Sequence, residues 1–536
     1  MKDQTVGQRA LPWIAIGVLS AAFLGLGIRA IGTSSPTIDE PGHYRYGHRI
    51  LRGVAARWDD SKMPMSALNA LPCFVAEQMG SAQRDLDEFS GPCDWTLARF
   101  PTLLAGLALG LVIAFWSRSL YGWSGALVSF GLFVFDPNWL AHASLITTDT
   151  FGALFLLVSL RAFASWLREP GGRQSVALGL AVGLASISKY TAAYLPLIFL
   201  AILILSRRAR ARFLAAPVAR SLHLAAASIV AIVLINAGFL GDGTWTSLRD
   251  QKFESPQFRE LRKIPGLAYV PLPVPRPFVE GLDRVFHRER HGGGSGNIYL
   301  LGELREPGNP GFASYFFVVG LLKTPIPSLL LLGCALAVFA WRPRSEWTFD
   351  EITLLATVAV FVPYFSLIFR AQIGWRHFLV TIPPLFVLAG CLGPFLEKTR
   401  ARMAFAAVAL GLALASVVRH GDDPLSYFNE FVPPTQTYRI AADSNLDWGQ
   451  TKSRVDAYMA SHPEVVQAPG KPFPGRLIVG ANQLTGVVTR KRMEWLRESG
   501  IAPVGHVAFT HFLFEISRAD ADRLRLRRGD PPLPPD

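Results

Sequence analysis

The sequence predicts a polytopic α-helical membrane protein with a small α/β domain at its C-terminal end. Of the 536 residues, 50% are hydrophobic and only 17% are charged, and the mean hydropathy is +0.29. A soluble domain carries about a quarter of its residues as charges. Apolar runs long enough to cross a bilayer, which takes roughly 20 residues each, recur through most of the chain. The protein is therefore expected to cross the membrane many times.

About eleven apolar runs are predicted to span the membrane. They lie near residues 11–31, 98–116, 123–139, 146–167, 175–188, 190–206, 220–241, 314–341, 352–369, 378–396 and 403–418. The first run follows Lys2 and Arg9, as the apolar part of a signal peptide would, but it lacks a convincing small-residue cleavage site. It is therefore predicted to be a retained helix.

The positive charges predict the orientation of the chain. The net charge is +13, which in a soluble protein would indicate a nucleic-acid partner, but here the short basic clusters obey the positive-inside rule. With a cytoplasmic N-terminus, the inner residues are Arg118, Arg168, Arg173, Arg207, Arg208, Arg210, Arg212, Arg220, Arg342, Arg344, Lys398, Arg400 and Arg402. Loops 32–97 and 242–313 and the C-terminal tail then lie outside, and no nucleic-acid partner is expected.

The two outer loops differ in composition. Loop 32–97 contains Cys73 and Cys93, which could form a disulfide in an oxidising compartment or stay as free thiols. Loop 242–313 is rich in proline and then in glycine over residues 265–296, so it is not expected to form one regular element. This segment is a candidate for ordering when substrate binds.

The composition turns polar after residue 418, which predicts a membrane domain over residues 1–418 and an external domain over residues 419–536. The pattern predicts a short helix over Thr451–Met459 and strands over Arg476–Gly480 and His506–Ile516. These elements predict a small α/β fold.

The stretch from Thr37 to Tyr44 places two carboxylates, Asp39 and Glu40, where the first apolar run has just ended. A solvated loop start would explain these charges. It would not explain His43 and Tyr44, which would share a face with the carboxylates if a helix follows Pro41.

Further isolated charges stand at helix ends on the predicted outer face: Asp149, Lys189, Lys323, Arg376 and His377. Asp149 could be only a helix N-cap, and Lys189 and Arg376 could snorkel to lipid phosphates. Lys323 reaches the surface only if residues 314–323 form a separate interfacial helix. Taken together, the carboxylates and cations predict a site for an anionic headgroup that also provides a base.

Motifs of soluble enzymes are absent from the sequence. The stretch from Asp443 to Gln450 is similar to a calcium loop, but its glycine comes one place late and Arg454 takes the twelfth position. A phosphate-binding P-loop, a nucleophile elbow and a zinc-type histidine pair are also missing. The chemistry is therefore expected at the membrane face.

The Asp-Glu pair after the first helix, the Thr-Thr-Asp at the fourth and the external tail resemble the GT-C glycosyltransferases of family 39. This family includes protein O-mannosyltransferases and lipid A aminoarabinose transferases. Stretches that match a bacterial branch of the family are Tyr299–Gly302, Tyr315–Val318, Leu322–Pro327, Trp375–Phe378, Ser426–Glu430 and Asp443–Gln450. The resemblance runs from about residue 36 to residue 450 and implies a GT-C architecture in a bacterial cytoplasmic membrane.

The resemblance implies an inverting enzyme that takes a sugar from a polyprenyl-phosphate carrier on the outer side and passes it to an acceptor hydroxyl. Residue by residue, it implies that Asp39 is the base and that Glu40 supports it. Asp149 would lie near the donor phosphate. The groups expected to bind that phosphate are Lys189, Arg376, His377 and Lys323.

Several alternatives stay open at this point. A divalent metal held by Asp39, Asp149 and His43 is compatible with the residues, although lysine and arginine can neutralise a monophosphate without one. The acceptor could be a protein, lipid A, a glycan or a cell-wall polymer. A transporter or flippase of lipid-linked glycans is disfavoured because the charges gather at one face. A non-catalytic subunit of an envelope-assembly complex is the third alternative.

Overall fold

The computed structural model describes residues 6–54, 62–80, 94–292 and 296–534, which are mostly helical. The first ten helices are α1 (Val6–Thr33), α2 (Glu40–Leu51), α3 (Ala67–Gln78), α4 (Trp95–Val134), α5 (Pro137–Ala143), α6 (Asp149–Arg168), α7 (Gly172–Ser188), α8 (Leu195–Leu205), α9 (Arg207–Leu214) and α10 (Pro217–Gly238). Next come α11 (Pro256–Leu261), α12 (Arg276–His291), β1 (Ile298–Leu300), β2 (Glu303–Arg305), α13 (Tyr315–Lys323), α14 (Ile326–Trp341), α15 (Phe349–Pro363), α16 (Ile382–Ala389), α17 (Leu392–Leu396) and α18 (Arg400–Arg419). The C-terminal part contains α19 (Lys452–Ser461), β3 (Val465–Gln467), β4 (Gly475–Gly480), α20 (Ala481–Thr485), α21 (Glu494–Arg497), β5 (Gly505–Val507), β6 (His511–Ile516) and α22 (Arg518–Arg527).

The chain is a polytopic helical membrane protein, as predicted. Within the described residues, 7 helices are long and apolar enough to cross a membrane, and the number is 9 if each of two sharply bent helix pairs forms one span. The prediction of about eleven differs for two reasons. The predicted spans 98–116 and 123–139 lie largely within α4, on either side of its break at Gly122, and the predicted span 175–188 corresponds to α7, which has only 17 residues.

The long helix α4 is interrupted at Gly122, where φ is 77° and ψ is −169°. A residue with a side chain rarely adopts this conformation, whereas glycine does so at little cost. The break lets the chain change direction without an intervening loop. The sequence pattern placed a short connection at this point, and the structure replaces it with one glycine.

Helices α7 and α10 pack closely because α7 presents two glycines to its neighbour. A Cβ atom at Gly179 would lie 2.4 Å from the carbonyl oxygen of Ala227, and one at Gly183 would lie 2.8 Å from Cβ of Leu234. Small residues four apart on one helix face let two backbones approach in a membrane. A larger side chain at Gly179 would therefore push α10 away from the bundle.

The C-terminal part contains the predicted small sheet, with the strand order β3-β4-β6-β5. Strand β3 pairs with β4 in parallel, and the other two pairings are antiparallel. The single strand predicted over His506–Ile516 is instead a hairpin. It turns at Ala508 and Phe509, which have φ values of 51° and 63°. The predicted helix and the predicted strand at residue 476 are present as α19 and β4.

The predicted disulfide between Cys73 and Cys93 stays a prediction, because Cys93 lies outside the described residues. Cys73 lies on α3 and is fully buried in a cluster that also contains Tyr44, Ala98 and Ile146. Cys334 and Cys391 are free thiols.

Candidate active site

A cavity of about 420 Å³ lies where α2, α6, α12 and the segment after α15 meet the C-terminal part. Its charged and polar lining comprises Asp39, His43, Lys62, Thr148, Asp149, Lys189, Tyr190, Thr191, Arg288, Glu289, Arg376, His377, Asp443, Asp447 and Asn482. Predicted site residues from four distant parts of the chain therefore line one cavity.

The short helix α2 separates the first polar stretch into two faces. Asp39 and His43 are four residues apart and line the cavity, whereas Glu40 and Tyr44 are buried in the protein beside it. Residues four apart lie on one face of a helix, and adjacent residues point about 100° apart. The prediction that all four share one face is therefore wrong, and Tyr44 packs in the core instead of lining the site.

Glu40 is fully buried and has both carboxylate oxygens occupied. Arg99 donates to both oxygens over 2.8 and 2.7 Å, and the backbone N–H groups of Thr37 and Ile146 donate over 2.7 and 2.8 Å. Arg99 also donates to the carbonyls of Ile31, Ser34 and Ser35. Glu40 thus joins the end of α1 to α4 and to the segment that precedes Asp149, and it positions the site from outside the cavity.

His43 is buried at the cavity wall, and its Nδ1 lies 3.3 Å from the hydroxyl of Ser66. Burial lowers the pKa of His43 to about 4, and the nearby ammonium of Lys62 acts in the same direction. The imidazole is therefore neutral at neutral pH and can donate or accept one hydrogen bond in the cavity.

Two of the ion pairs in the described part of the chain line the cavity. Lys189 contacts Asp149 through its ammonium, and Arg376 donates to Asp39 over 3.2 Å. The Nε atom of Arg376 and the Nε2 atom of His377 are buried and have no hydrogen-bond partner among the described residues. Buried polar atoms are normally paired, so these two nitrogens indicate that the site is built for a polar ligand.

Arg376 also lies over the ring of Trp448, with 4.2 Å between the guanidinium carbon and the ring centre. The segment that carries Trp448 is tied to the start of the first polar stretch. The N–H of Ser35 donates to the carbonyl of Gln450 over 2.8 Å, and the N–H of Ile38 donates to that of Trp448 over 3.0 Å. The C-terminal part therefore helps to position both Asp39 and Arg376.

Lys323 lies outside the cavity, contrary to the prediction that it binds the donor phosphate. A separate helix α13 does end at Lys323, and a bend of 116° separates it from α14. The side chain is nevertheless buried, and its ammonium donates to the carbonyls of Leu425, Tyr427 and Asn445 over 2.8, 3.1 and 2.6 Å. All three donors are used, so Lys323 anchors the C-terminal part to the helical part.

Several of the stretches that carry the family resemblance contact one another close to Lys323. Asn429 donates to the end of α13 that bears Lys323, since its backbone N–H contacts the carbonyl of Leu322 over 2.7 Å. Asn445 donates to the hydroxyl of Tyr315 and accepts from the N–H of Trp375, each over 2.8 Å. Several separate motifs in the sequence are thus one structural unit behind the cavity.

The residues present do not fit a resident metal ion. No group of three or more histidine, cysteine or carboxylate side chains in the described residues could hold one. Of the three possible ligands, Asp39, Asp149 and His43, the two aspartates each contact a cationic side chain.

Helix α12 forms one wall of the cavity and lies in loop 242–313, part of which is predicted to lack a regular element. Its Glu289 accepts hydrogen bonds from the hydroxyls of Tyr364 and Tyr194. Burial raises the pKa of Glu289 to about 7. The sequence did not predict this helix because the prolines around residue 275 are typical of irregular structure, although proline is also common in the first turn of a helix. Residues 293–295 of the glycine-rich segment lie outside the described residues.

Sequence reasoning also missed Arg99, Glu289, Asp443, Asp447 and Asn482 as parts of the site or of its support. Arg99 could have been noticed as a lone cation inside an apolar helix, which usually has a specific partner. Asp443 and Asp447 lie in a stretch that carries the family resemblance, but the resemblance assigned no role to either residue.

Comparison with known proteins supports the predicted class. The sequence pattern of the dolichyl-phosphate-mannose-protein mannosyltransferase family matches residues 93–236, about a quarter of the chain. No curated protein sequence matches the chain.

Structural comparison aligns this chain with two solved structures at low sequence identity. ArnT from Cupriavidus metallidurans, bound to undecaprenyl phosphate, is 14% identical, with 94% of this chain and 97% of that chain covered and a TM-score of 0.47. The Archaeoglobus fulgidus oligosaccharyltransferase, tethered to an acceptor peptide, is also 14% identical. It has a TM-score of 0.47, with 79% of this chain and 56% of that chain covered. The family match over residues 93–236 confirms that this polytopic membrane protein resembles the GT-C glycosyltransferases of family 39.

Proposed function

We propose that this protein is an inverting glycosyltransferase that moves a hexosyl or pentosyl group from a polyprenyl-phosphate carrier to an acceptor hydroxyl on the outer face of a bacterial cytoplasmic membrane. The observation that carries the proposal is the convergence of Asp39, Asp149, Lys189, Arg376 and His377 on one cavity of about 420 Å³. The family match, whose description names a polyprenol-type phosphate sugar donor, supports the same reaction class.

In this proposal Asp39 is the general base. It removes the proton of the acceptor hydroxyl while that oxygen attacks the anomeric carbon of the sugar, and the bond between this carbon and the phosphate oxygen breaks. A positioned base contributes typically about 10²–10⁴-fold to such a step. One attack without a covalent intermediate inverts the anomeric configuration.

The departing phosphate gains negative charge, which cationic side chains stabilise strongly at a surface of low dielectric constant. Lys189 and Arg376 are the candidate partners of this phosphate, and the buried nitrogen atoms of Arg376 and His377 without partners are further candidate contacts. Asp149 holds the Lys189 ammonium, and Glu40 holds the backbone on both sides of the site. Arg376, which contacts Asp39 over 3.2 Å, would link the base to the phosphate.

The test is transfer of a radiolabelled sugar from polyprenyl phosphate to endogenous acceptors in membranes that contain the protein. Asp39→Asn and Asp149→Asn are expected to abolish transfer at normal protein level. The matched control is Asp422→Asn, since Asp422 is half exposed and pairs with Arg29 away from the cavity. Equal transfer by wild type and Asp39→Asn would refute the role of this carboxylate, and loss with a chelator would show that a metal takes part.

The proposed orientation has its own test. Lys452 lies at the start of α19 with 75% of its side chain exposed. A cysteine at this position, Lys452→Cys, is expected to react with a membrane-impermeant thiol reagent added outside intact cells. Labelling only after the cells are opened would place the C-terminal part and the cavity in the cytoplasm.

A further inference from the structure

Not every cavity carboxylate has a part in the transfer steps above. Asp443 and Asp447 come from the stretch Asp443–Gln450 of the C-terminal part, and both line the cavity. The other polar side chains of this stretch are used inside the protein. Ser444 donates to the carbonyl of Ile373 over 2.9 Å, and Gln450 donates to the carbonyl of Leu446, also over 2.9 Å.

Each of the two carboxylates accepts a hydrogen bond from the protein at only one of its two oxygens. The N–H of Ser444 donates to Oδ1 of Asp443 over 2.6 Å, and the N–H of Gly449 donates to Oδ1 of Asp447 over 3.1 Å. The Oδ2 atoms of both accept no hydrogen bond from any described residue. One oxygen thus fixes the side chain against its own backbone, while the other can accept hydrogen bonds from a ligand.

Asn482 holds the two aspartates as one unit. Its Oδ1 atom accepts the N–H of Asp443 over 2.7 Å, and its Nδ2 atom donates to the carbonyl of Asp447 over 2.8 Å. Asp443 adopts a φ of 58°, which is uncommon for a residue with a side chain and is maintained here by these contacts. The spacing of the two carboxylates is therefore fixed before a ligand arrives.

The charges of the cavity determine which ligand group suits this pair. A phosphate is repelled by carboxylates and is attracted by Lys189 and Arg376. Burial raises the pKa of Asp443 to about 7, and it also raises the pKa of Asp447. A carboxyl group accepts hydrogen bonds when ionised and can also donate one when protonated, and a hydroxyl can pair with either form. Neutral hydroxyl groups are therefore the ligand groups that can hydrogen-bond best to Asp443 and Asp447.

We propose that Asp443 and Asp447 bind hydroxyl groups of the sugar that the lipid phosphate carries, and that this pair selects which sugar is transferred. This inference rests on the proposed function, because it assumes that a lipid phosphate occupies the cationic side of the cavity. The C-terminal part would then supply sugar specificity, while the ends of the membrane helices supply the phosphate site and the base.

The test measures binding, so it needs no acceptor. Dissociation constants are measured for detergent-solubilised protein with undecaprenyl phosphate and with undecaprenyl phosphates that carry a hexose, a pentose or an N-acetylhexosamine. At least one sugar is expected to bind about tenfold to hundredfold tighter than the bare lipid phosphate, since hydrogen bonds to charged groups are strong. Asp443→Asn and Asp447→Asn are each expected to reduce this gain while leaving the affinity for bare undecaprenyl phosphate within about twofold.

The control is Asp456→Asn, because Asp456 is exposed, pairs with Lys452 and lies outside the cavity. A wild-type protein that binds every tested sugar lipid no tighter than the bare lipid phosphate overturns the inference. The inference is also overturned if Asp443→Asn and Asp447→Asn bind the sugar lipid as much more tightly than the bare lipid phosphate as the wild type does. Absence of binding of bare undecaprenyl phosphate to wild type would instead refute the proposed function. A misfolded variant is recognised by loss of binding to the bare lipid phosphate, and in that case Asn482→Ser, which loosens both aspartates, is expected to weaken sugar selection.

Discussion

Two groups of buried carboxylates and nearby arginines in the described part of the chain differ in their surroundings, since one lines the cavity and the other lies at the far end of α6. Helix α6 connects them, since Asp149 begins it beside the cavity and Arg168 ends it roughly 28 Å away. At the far end, Asp350 contacts Arg161, Arg168 and Trp116. Every oxygen of this carboxylate has a partner there.

The neighbouring Glu351 is equally well paired. It accepts from Arg342 over 2.5 Å, from the hydroxyl of Tyr121 over 2.7 Å and from the N–H of Thr348 over 2.7 Å, and it closes a capping box at the start of α15. The cluster beside the cavity instead contains polar atoms without hydrogen-bond partners among the described residues, such as Nε of Arg376 and Nε2 of His377. Completeness of pairing, rather than the presence of buried charge, distinguishes a structural ion cluster from a candidate site.

The sharpest test of this comparison uses two fully buried glutamates, Glu40 near the cavity and Glu351 at the far end. Glu40→Gln leaves Arg99 with a buried, unpaired charge and is expected to reduce the free energy of unfolding by roughly 3–5 kcal/mol. It is also expected to lower transfer per folded molecule by about 10²-fold, because Asp39 and Asp149 shift.

The matched variant Glu351→Gln is expected to destabilise less, because Arg342 is 27% exposed. Its transfer rate per folded molecule should equal that of the wild type. Thermal unfolding in detergent and the sugar-transfer assay measure the two effects separately. Equal losses of transfer in both variants would mean that the two clusters do not differ in function.

The second test compares two arginines. Arg376→Gln is expected to raise the dissociation constant for undecaprenyl phosphate by about tenfold to hundredfold, because it removes a charged donor from the proposed phosphate site. Arg342→Gln removes an arginine that only pairs with Glu351 and should leave that constant unchanged. Titration of the lipid phosphate against each purified variant provides the measurement, and an unchanged affinity in Arg376→Gln would contradict the phosphate assignment.

The smallest expected effect concerns pH. The pKa of Glu289 is raised by burial from 4.5 to about 7, so between these values the folded protein holds a proton that the unfolded chain releases. Glu289 therefore lowers the stability of the wild type as pH rises through this window. Tyr194, Tyr364 and Lys189 face the same carboxyl group and act on its pKa in the folded state.

Glu289→Gln removes this contribution. The unfolding temperature of the wild type, measured relative to that of the variant, is expected to fall on the order of 1 °C or more between pH 5 and pH 8. His43, whose pKa is lowered to about 4, acts in the opposite direction, because its burial lowers stability only at acid pH. A pH-independent difference between wild type and Glu289→Gln would show that Glu289 is ionised in the folded protein at all these pH values.

Part of the site could be predicted because it depends on local sequence. Asp39, Asp149, Lys189 and Arg376 each follow or precede an apolar run, so hydropathy and charge alone place them at helix ends on one side of the membrane. The cavity contains all four. The prediction for Lys323 used the same reasoning and was wrong, because neighbouring carbonyls of a distant segment surround its ammonium.

The sequence by itself determined that the chain is a membrane protein, where most of its helices lie and which isolated charges need an explanation. These properties follow from hydropathy and helix periodicity, which act over short stretches of chain. Only the tertiary structure decided that Glu40 is a buried clamp for Arg99, that Lys323 is an anchor and that Asp443 and Asp447 enter the cavity. The reason is that a polar side chain acts according to its partners, and these partners come from other segments of the chain, 59 residues away for Glu40 and 102 to 122 residues away for Lys323.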